Sequence, residues 1–421
     1  MAGSRIRESR AVHKVAAALF SQADAQKRFI EALTIEDGRV SAVAWLSVQP
    51  KRELFIHGSR PRWLPDWIDV AAEGERPGAL PAHAAGEFYC LDLSSAFSCA
   101  PLSHIKTPVR LLVDTCAAPG GKGILARRYL SPVLVVANEV IRNRTAQLIA
   151  NYKRCQIDPA LVTSCDLKVL ADSIPGSADL VIVDAPCSGQ SLVLKNHDAP
   201  GAFHPATISM NERRQRRILA HASSIVGPNG YLLYSTCTFS REENEDNLRW
   251  LLETFPEFSA VLVPELHAHQ SHLIEEPCYR LWPYERCGAG AFCALLRKAA
   301  DSPYGVSVSA DNFAQYVRPV WRSPTLFSLA PPPLSKNGPA QGRTKRVQKR
   351  KPRERLKVRD FDLTDVKVNT GNACVTSNSP VDDPLLSENS TARATKQPSD
   401  VIADSELYEY EHRVRRGQRG K

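Results

Sequence analysis

The 421-residue chain carries eleven cysteines but no Cys-x-x-Cys pair. Finger- and ribbon-type zinc sites depend on such pairs, so no metal is expected. The cysteine count is odd and no secretory signal is visible, which argues against a disulfide scaffold. Most thiols should therefore be reduced and buried, in a cytoplasmic setting. No apolar run approaches the ~18 residues of a membrane span, and "VAAALF" near the amino end is too short for a signal core. The Arg-rich start leaves a mitochondrial transit peptide as an alternative, set against Glu8 and an ordinary helical pattern. Neither Gly-x-Gly-x-x-Gly nor a Walker loop occurs, which argues against a dinucleotide-dependent oxidoreductase. Only two methionines are present, and nothing physical explains that.

What the chain does have is length for two globular domains and a tail, with a hydrophobic share of 43%. A net charge of +9 and a pI near 9.0 point to a polyanionic partner, nucleic acid before membrane. Residues 1–108 read as a small α+β accessory region. Val12, Val15, Ala16, Leu19 and Phe20 have helical spacing, and "RVSAVAWLSVQ" and "RELFIHG" are strand-like. Arg60, Arg62, Trp63 and Trp67 are candidates for RNA contact, with ordinary packing as the alternative.

From Val109 the rhythm is regular. Apolar runs at 109–113, 132–137, 160–164, 179–183 and 230–235 alternate with helical patterns, and "AFCALLRK" at 291–298 closes the series. Continuous β-rich runs of this kind predict an α/β domain over 109–298, its mostly parallel sheet covered on both faces. In the helical pattern at 211–226 the apolar residues face inward, and the arginines form either a solvated face or a second contact with RNA. Ser240 and Glu243 have capping-box spacing and predict a helix directly after Cys237. Residues 299–421 read as linker and disordered tail, with a dense basic run at 342–359 suited to phosphates or to serving as a localisation signal.

Three segments concentrate chemistry. "VRLLVDTCAAPGGKG" is a strand, a turn of small residues and a helix start, as a nucleotide-like ligand requires. Acids end the following strands: Glu139, positioned for ribose hydroxyls, then Asp166 and Asp184. "DAPCSG" and "GYLLYSTCTFSREENE" place Cys187 and Cys237 after two of these strands. Either cysteine alone would be read as a packed core residue.

These motifs, with "GEFYCLDLSSAF" and "RLWPYERCGAGAFCALLRK", resemble the Nop/Sun (RsmB-like) family of RNA cytosine-5 methyltransferases from about Gly86 to Lys298. The resemblance implies a Rossmann-like class I methyltransferase fold and S-adenosylmethionine as cofactor. It carries the cofactor contacts to Cys116, Ala117, Ala118, Pro119, Gly120, Gly121, Lys122, Glu139, Asp166 and Asp184. Glu139 stands where aspartate is usual, Gly123 where Thr or Ser is, Leu91 where Gln or Glu is, and Ser191 where a glycine is.

Cytosine C5 is too weak a nucleophile to take a methyl group unaided. A thiolate adding to C6 makes C5 enamine-like, and loss of the C5 proton then expels the enzyme. Chemistry alone does not choose between the two cysteines. The resemblance assigns the nucleophile to Cys237, product release to Cys187 and a base-facing role to Asp184. A base within a duplex is out of reach, so the target is expected to be unpaired or flipped out. Lys195 is read as either a phosphate contact or a solvated lysine. The expected partner is RNA, ribosomal before transfer RNA, for a monomer without membrane attachment. In a eukaryote the nucleolus and the mitochondrion are alternatives to the cytoplasm. A non-catalytic RNA-binding assembly factor is the reading from another class, and loss of either motif cysteine would have favoured it.

Overall fold

The structure is a computed structural model that describes residues 9–34, 40–47, 53–195, 199, 201–301 and 318–328. The basic run at 342–359 and the rest of the expected tail lie outside the described residues.

The amino-terminal helical stretch is two helices, α1 (Arg10–Leu19) and α2 (Ala23–Ala32). The Ser9 hydroxyl caps α1 by accepting from the Val12 N–H, and extended backbone at Phe20 ends it. Strands β1 (Ser41–Trp45), β2 (Ile68–Val70) and β3 (Phe88–Asp92) form an antiparallel sheet in the order β2-β1-β3. "RELFIHG" does not form a strand in its described part. Phe55 is buried but Ile56 is 68% exposed, and only a bridge from His57 to Ala71 forms. Trp63 and Trp67 pack edge-on against Phe97 and Tyr129, and Arg60 binds Asp66 and the Leu64 carbonyl. Packing therefore accounts for both tryptophans.

Helix α3 (Leu93–Cys99) leads into the main series: β4 (Leu111–Asp114), α4 (Gly121–Leu130), β5 (Leu134–Asn138), α5 (Arg142–Arg154), β6 (Ala160–Thr163), α6 (Leu167–Ser173), β7 (Ala178–Asp184), α7 (Pro205–Ile225), β8 (Val226–Thr236) and α8 (Glu245–Thr254). Then come β9 (Phe258–Ala260), β10 (Tyr279–Leu281), β11 (Ala291–Lys298) and β12 (Trp321–Arg322). The sheet order is β10-β11-β8-β7-β4-β5-β6-β12, with β9 also on β11. The five central strands are parallel, and β9, β10, β11 and β12 join antiparallel.

Alternate residues of each central run enter opposite cores, which is why the runs are apolar throughout. Leu112, Val135, Leu180, Ile182 and Leu233 face α4, α5 and the amino-terminal sheet. Val113, Val136, Val181, Val183 and Leu232 face α6, α7 and α8. A third core joins α1 and α2 to Val193, Leu194, Phe203, Phe239 and Trp282, so these helices brace loops beyond the sheet's carboxyl edge.

Two further expectations fail. Residues 318–328, assigned to the linker, contain β12, which pairs with β6, followed by a helical turn at Pro324–Ser328. Ser323 fastens this segment through Asp158 and the Ala160 N–H, contacts more than 160 residues apart that no local pattern reveals. Helix α8 begins at Glu245 rather than directly after Cys237. The Ser240 hydroxyl donates to the Glu243 carboxylate instead of capping a backbone N–H, and Asn244 is held by Thr236 and by the Thr238 carbonyl.

Candidate functional site

The strand order reverses direction between β4 and β7, and open α/β sheets hold ligands at the carboxyl ends of strands at such a switch point. The loop after β4, the Asp184 end of β7 and the Cys237 end of β8 all lie at that edge.

The loop at 115–121 runs under α4. Gly120 caps the helix with φ +114°, a conformation side chains resist. A Cβ there would meet Leu148 and Tyr152 at 3.1–3.4 Å, and one on Gly121 would meet the Tyr89 ring at 3.3 Å. Backbone conformation and packing against the protein thus both call for glycine at Gly120, and packing alone leaves little room at Gly121. Beneath the loop Asn138 bonds the Thr115 and Cys165 carbonyls and the Cys165 N–H. Sequence reasoning passed over this latch.

Glu139 is buried, its carboxylate accepting from the Ala118 and Ile141 N–H groups and pairing with Arg144 at 3.3 Å. Arg144 also donates to the Ala118 carbonyl at 2.5 Å. Asp166 is exposed and caps α6 by accepting from the Lys168 N–H. Asp184 binds Lys122 at 2.7 Å and accepts from the Ser235 hydroxyl at 3.2 Å. Asp114 is wholly buried behind this pair, and burial together with Asp184 pushes its carboxyl up to about 7.

Gly123 explains its own departure from the family pattern. A Cβ there would lie 2.3 Å from the Tyr152 hydroxyl and 3.1 Å from Asp114. Tyr152, wholly buried, fills the space a Ser or Thr side chain would need. Gly123→Ser is expected to cost about 1–3 kcal/mol by overpacking, and markedly less in a Tyr152→Phe background. Urea unfolding of the two single variants and the double variant measures that coupling.

The two cysteine sulfurs converge at 3.2 Å, both partly exposed. Their loops are clamped by Glu243, whose carboxylate accepts from the Ser188 N–H at 2.8 Å, Gln215 at 2.9 Å and Ser240 at 2.9 Å. Gln215, on the inner face of α7, also bonds the Pro186 carbonyl and receives the Tyr234 hydroxyl. The Ser191 N–H donates to the Cys237 carbonyl and the Phe239 N–H to Gln190. Ser191 therefore contributes its backbone, and its side chain is buried. Glu243 had been read as a cap, and Gln215 had no sequence signal beyond being polar between inward residues.

The sulfurs are not equivalent. The hydrogen bond from Cys187 holds Cys237 below the usual thiol range against the opposing effect of burial, with Lys195 and Lys122 assisting. That same bond, burial and the charge of Glu243 drive Cys187 well above it. Burial likewise raises the other eight described cysteines, Cys116 to about 12. Of the ten, all free, Cys237 alone is shifted toward thiolate. The expected helix amino terminus is not the source, since α8 starts eight residues later. Among the described residues no group of His, Cys, Asp and Glu is placed to hold a metal, and no helix is long and apolar enough to cross a membrane.

Parallel strands around a switch point and helices on both faces define a Rossmann-like α/β fold. Two solved structures share it. A methyltransferase homologue from Pyrococcus horikoshii is 20% identical with a TM-score of 0.57, covering 70% of this chain and 97% of that one. NSun6 from Pyrococcus horikoshii is 18% identical with a TM-score of 0.54, covering 70% and 99%.

Residues 106–297 match the family model of 16S rRNA methyltransferase RsmB/F. Ribosomal RNA small subunit methyltransferase F of Cronobacter sakazakii is 35% identical over 245 residues, 56% of this chain and 51% of that protein. The protein of the same name from Psychromonas ingrahamii is 30% identical over 258 residues, 60% and 54%. The chain thus spans about half the length of the curated relatives it matches.

Proposed function

We propose that the protein transfers a methyl group from S-adenosylmethionine to C5 of a cytosine in ribosomal RNA, through a covalent bond between Cys237 and C6. The observation that carries this reading is the 3.2 Å approach of a thiolate-prone sulfur to a protonated one beside Asp184. The small-residue loop, the amino end of α4 and the strand-terminal acids suit a nucleoside with a cationic centre. Cys116 to Lys122, Glu139, Asp166 and Asp184 would hold it, and bound there it supplies an electrophilic methyl group. Ribosomal RNA is favoured because the similar proteins are ribosomal RNA small subunit methyltransferases.

The protein's own steps follow from the charges. The Cys237 thiolate adds to C6, and Asp184 steadies the ring while C5 takes the methyl group. Addition removes the negative charge that had kept the Cys187 proton in place. Cys237 is then a thioether, and Cys187, freed of that charge, gives its proton to solvent and as a thiolate accepts the C5 proton. The electron pair of that C–H bond restores the C5–C6 double bond and expels Cys237. Two sulfurs of opposite polarity thus suit addition and elimination in turn.

The test is transfer of labelled methyl from S-adenosylmethionine to purified small-subunit RNA and, in parallel, transfer RNA, with the labelled nucleoside identified after digestion. 5-Methylcytidine in the ribosomal sample is expected. Label confined to transfer RNA overturns the substrate, and RNA binding without any label supports the assembly-factor reading instead. Deleting 336–421, which removes the basic run, is expected to weaken RNA binding and flatten its dependence on salt. An unchanged slope in a binding titration removes the tail from the interface.

A further inference from the structure

We propose that Lys195, anchored by Asp92, is a positioning residue that makes Cys237 rather than Cys187 the reactive sulfur. The inference deepens the proposed function and takes from it only which cysteine must react.

Lys195 ends the short turn Gln190–Lys195 that follows Cys187. That turn is fastened to the Cys237 loop at two points, Ser191 N–H to the Cys237 carbonyl at 3.1 Å and Phe239 N–H to Gln190 at 2.9 Å. Lys195 and Cys237 thereby belong to one rigid unit. The ammonium is not solvated: its side chain is 15% exposed and faces Asp92, itself 9% exposed, at 3.5 Å.

Asp92 is a diluted counter-ion. The same oxygen that faces Lys195 caps α3 through the Ser94 N–H at 3.0 Å, takes the Ser94 hydroxyl and accepts from the Ala289 N–H at 3.4 Å. These donors all share the oxygen that faces Lys195, while the other carboxylate oxygen is buried without a partner, and at 3.5 Å the pair is loose enough for the ammonium to favour a thiolate at Cys237 as well.

The other charges around the pair cannot replace it. Lys122 is closely neutralised by Asp184 at 2.7 Å, and Asp184 itself opposes a thiolate at Cys237. Glu243, bonded to the Ser188 N–H, disfavours charge at Cys187. The groups bearing on Cys237 are therefore Cys187, Asp184, Lys122 and Lys195, and of the two cations Lys195 stands farther from its carboxylate, 3.5 Å against 2.7 Å. Asp92 comes from the end of β3, so the amino-terminal region contributes directly to the site, which its reading as an accessory region did not foresee.

The experiment is alkylation of the full chain by iodoacetamide across pH, without RNA or cofactor, with Cys237 and Cys187 followed separately by peptide mass spectrometry. In the wild type Cys237 should label first. Lys195→Gln is expected to move the Cys237 midpoint up by about one pH unit, roughly tenfold slower labelling near neutrality, while Lys195→Arg keeps the wild-type midpoint. Lys195→Met serves as a second neutral variant should Lys195→Gln melt early. A Cys237 midpoint unmoved in a folded neutral variant, or equally displaced in Lys195→Arg, overturns the proposal. Because the readout needs no methyl transfer, a protein without transferase activity but with the expected labelling pattern would refute the proposed function alone.

Discussion

Cys237→Ala is expected to abolish methyl transfer, by on the order of 10⁴-fold or more, because no neighbouring group can replace a covalent nucleophile. Cys187 is the only sulfur within hydrogen-bonding distance among the described residues, and its proton is held first by the bond to Cys237, then by burial and by the charges of Cys237 and Glu243. Removing Cys237 takes away the hydrogen bond and the charge, but burial and Glu243 still disfavour a thiolate at Cys187. Cys187→Ala should behave differently. Addition and methylation remain possible, elimination is slowed, and a protein–RNA adduct should accumulate as a denaturant-resistant band on a gel. Both variants lose turnover, so rate alone does not separate the roles. The adduct does, and an adduct in Cys237→Ala rather than Cys187→Ala would reverse the assignment.

The adduct test also bears on pH. If Cys237 reacts as thiolate, transfer rises with pH through a midpoint below the usual thiol range, the direction its neighbours impose. Activity that begins to rise only above that range would mean the hydrogen bond from Cys187 does not persist when RNA is bound.

Much of this was legible in the sequence, for a definable reason. Strands β4 to β8 are buried on both faces, so each is a short apolar run visible without knowledge of its partners. The cysteines were legible because their motifs end strands, and strand ends converge at one sheet edge. What was hidden depends on contacts far apart in sequence. Gln215 reaches Glu243 across 28 residues, and Asp92 reaches Lys195 across the whole first half of the domain. Glu243 was misread because Ser-x-x-Glu spacing is the same for a helix cap and for a hydroxyl donating to a buried carboxylate. Strand β12 has two residues, too few for any periodicity.

Arg280→Met is expected to destabilise the protein by about 3–5 kcal/mol, more than its distance from the cysteines suggests. Arg280 and Glu245 are wholly buried and paired through two nitrogens at 2.5 and 2.6 Å. Ser271 adds a donor to Glu245, and Arg280 gives its remaining nitrogen to the Phe239 carbonyl at 3.0 Å. Losing the cation alone leaves a carboxylate in the core with one hydroxyl for company. Replacing both, as Arg280→Met with Glu245→Leu, removes that uncompensated charge and should recover much of the stability. Activity should not recover in parallel. Phe239 lies two residues from Cys237, and its carbonyl would still lack the donor that fixes the loop. Urea unfolding and transfer rates on the single and the double variant separate the effects. If the double variant regained both, the buried pair would serve stability alone and the loop would be held by Glu243 and Gln190.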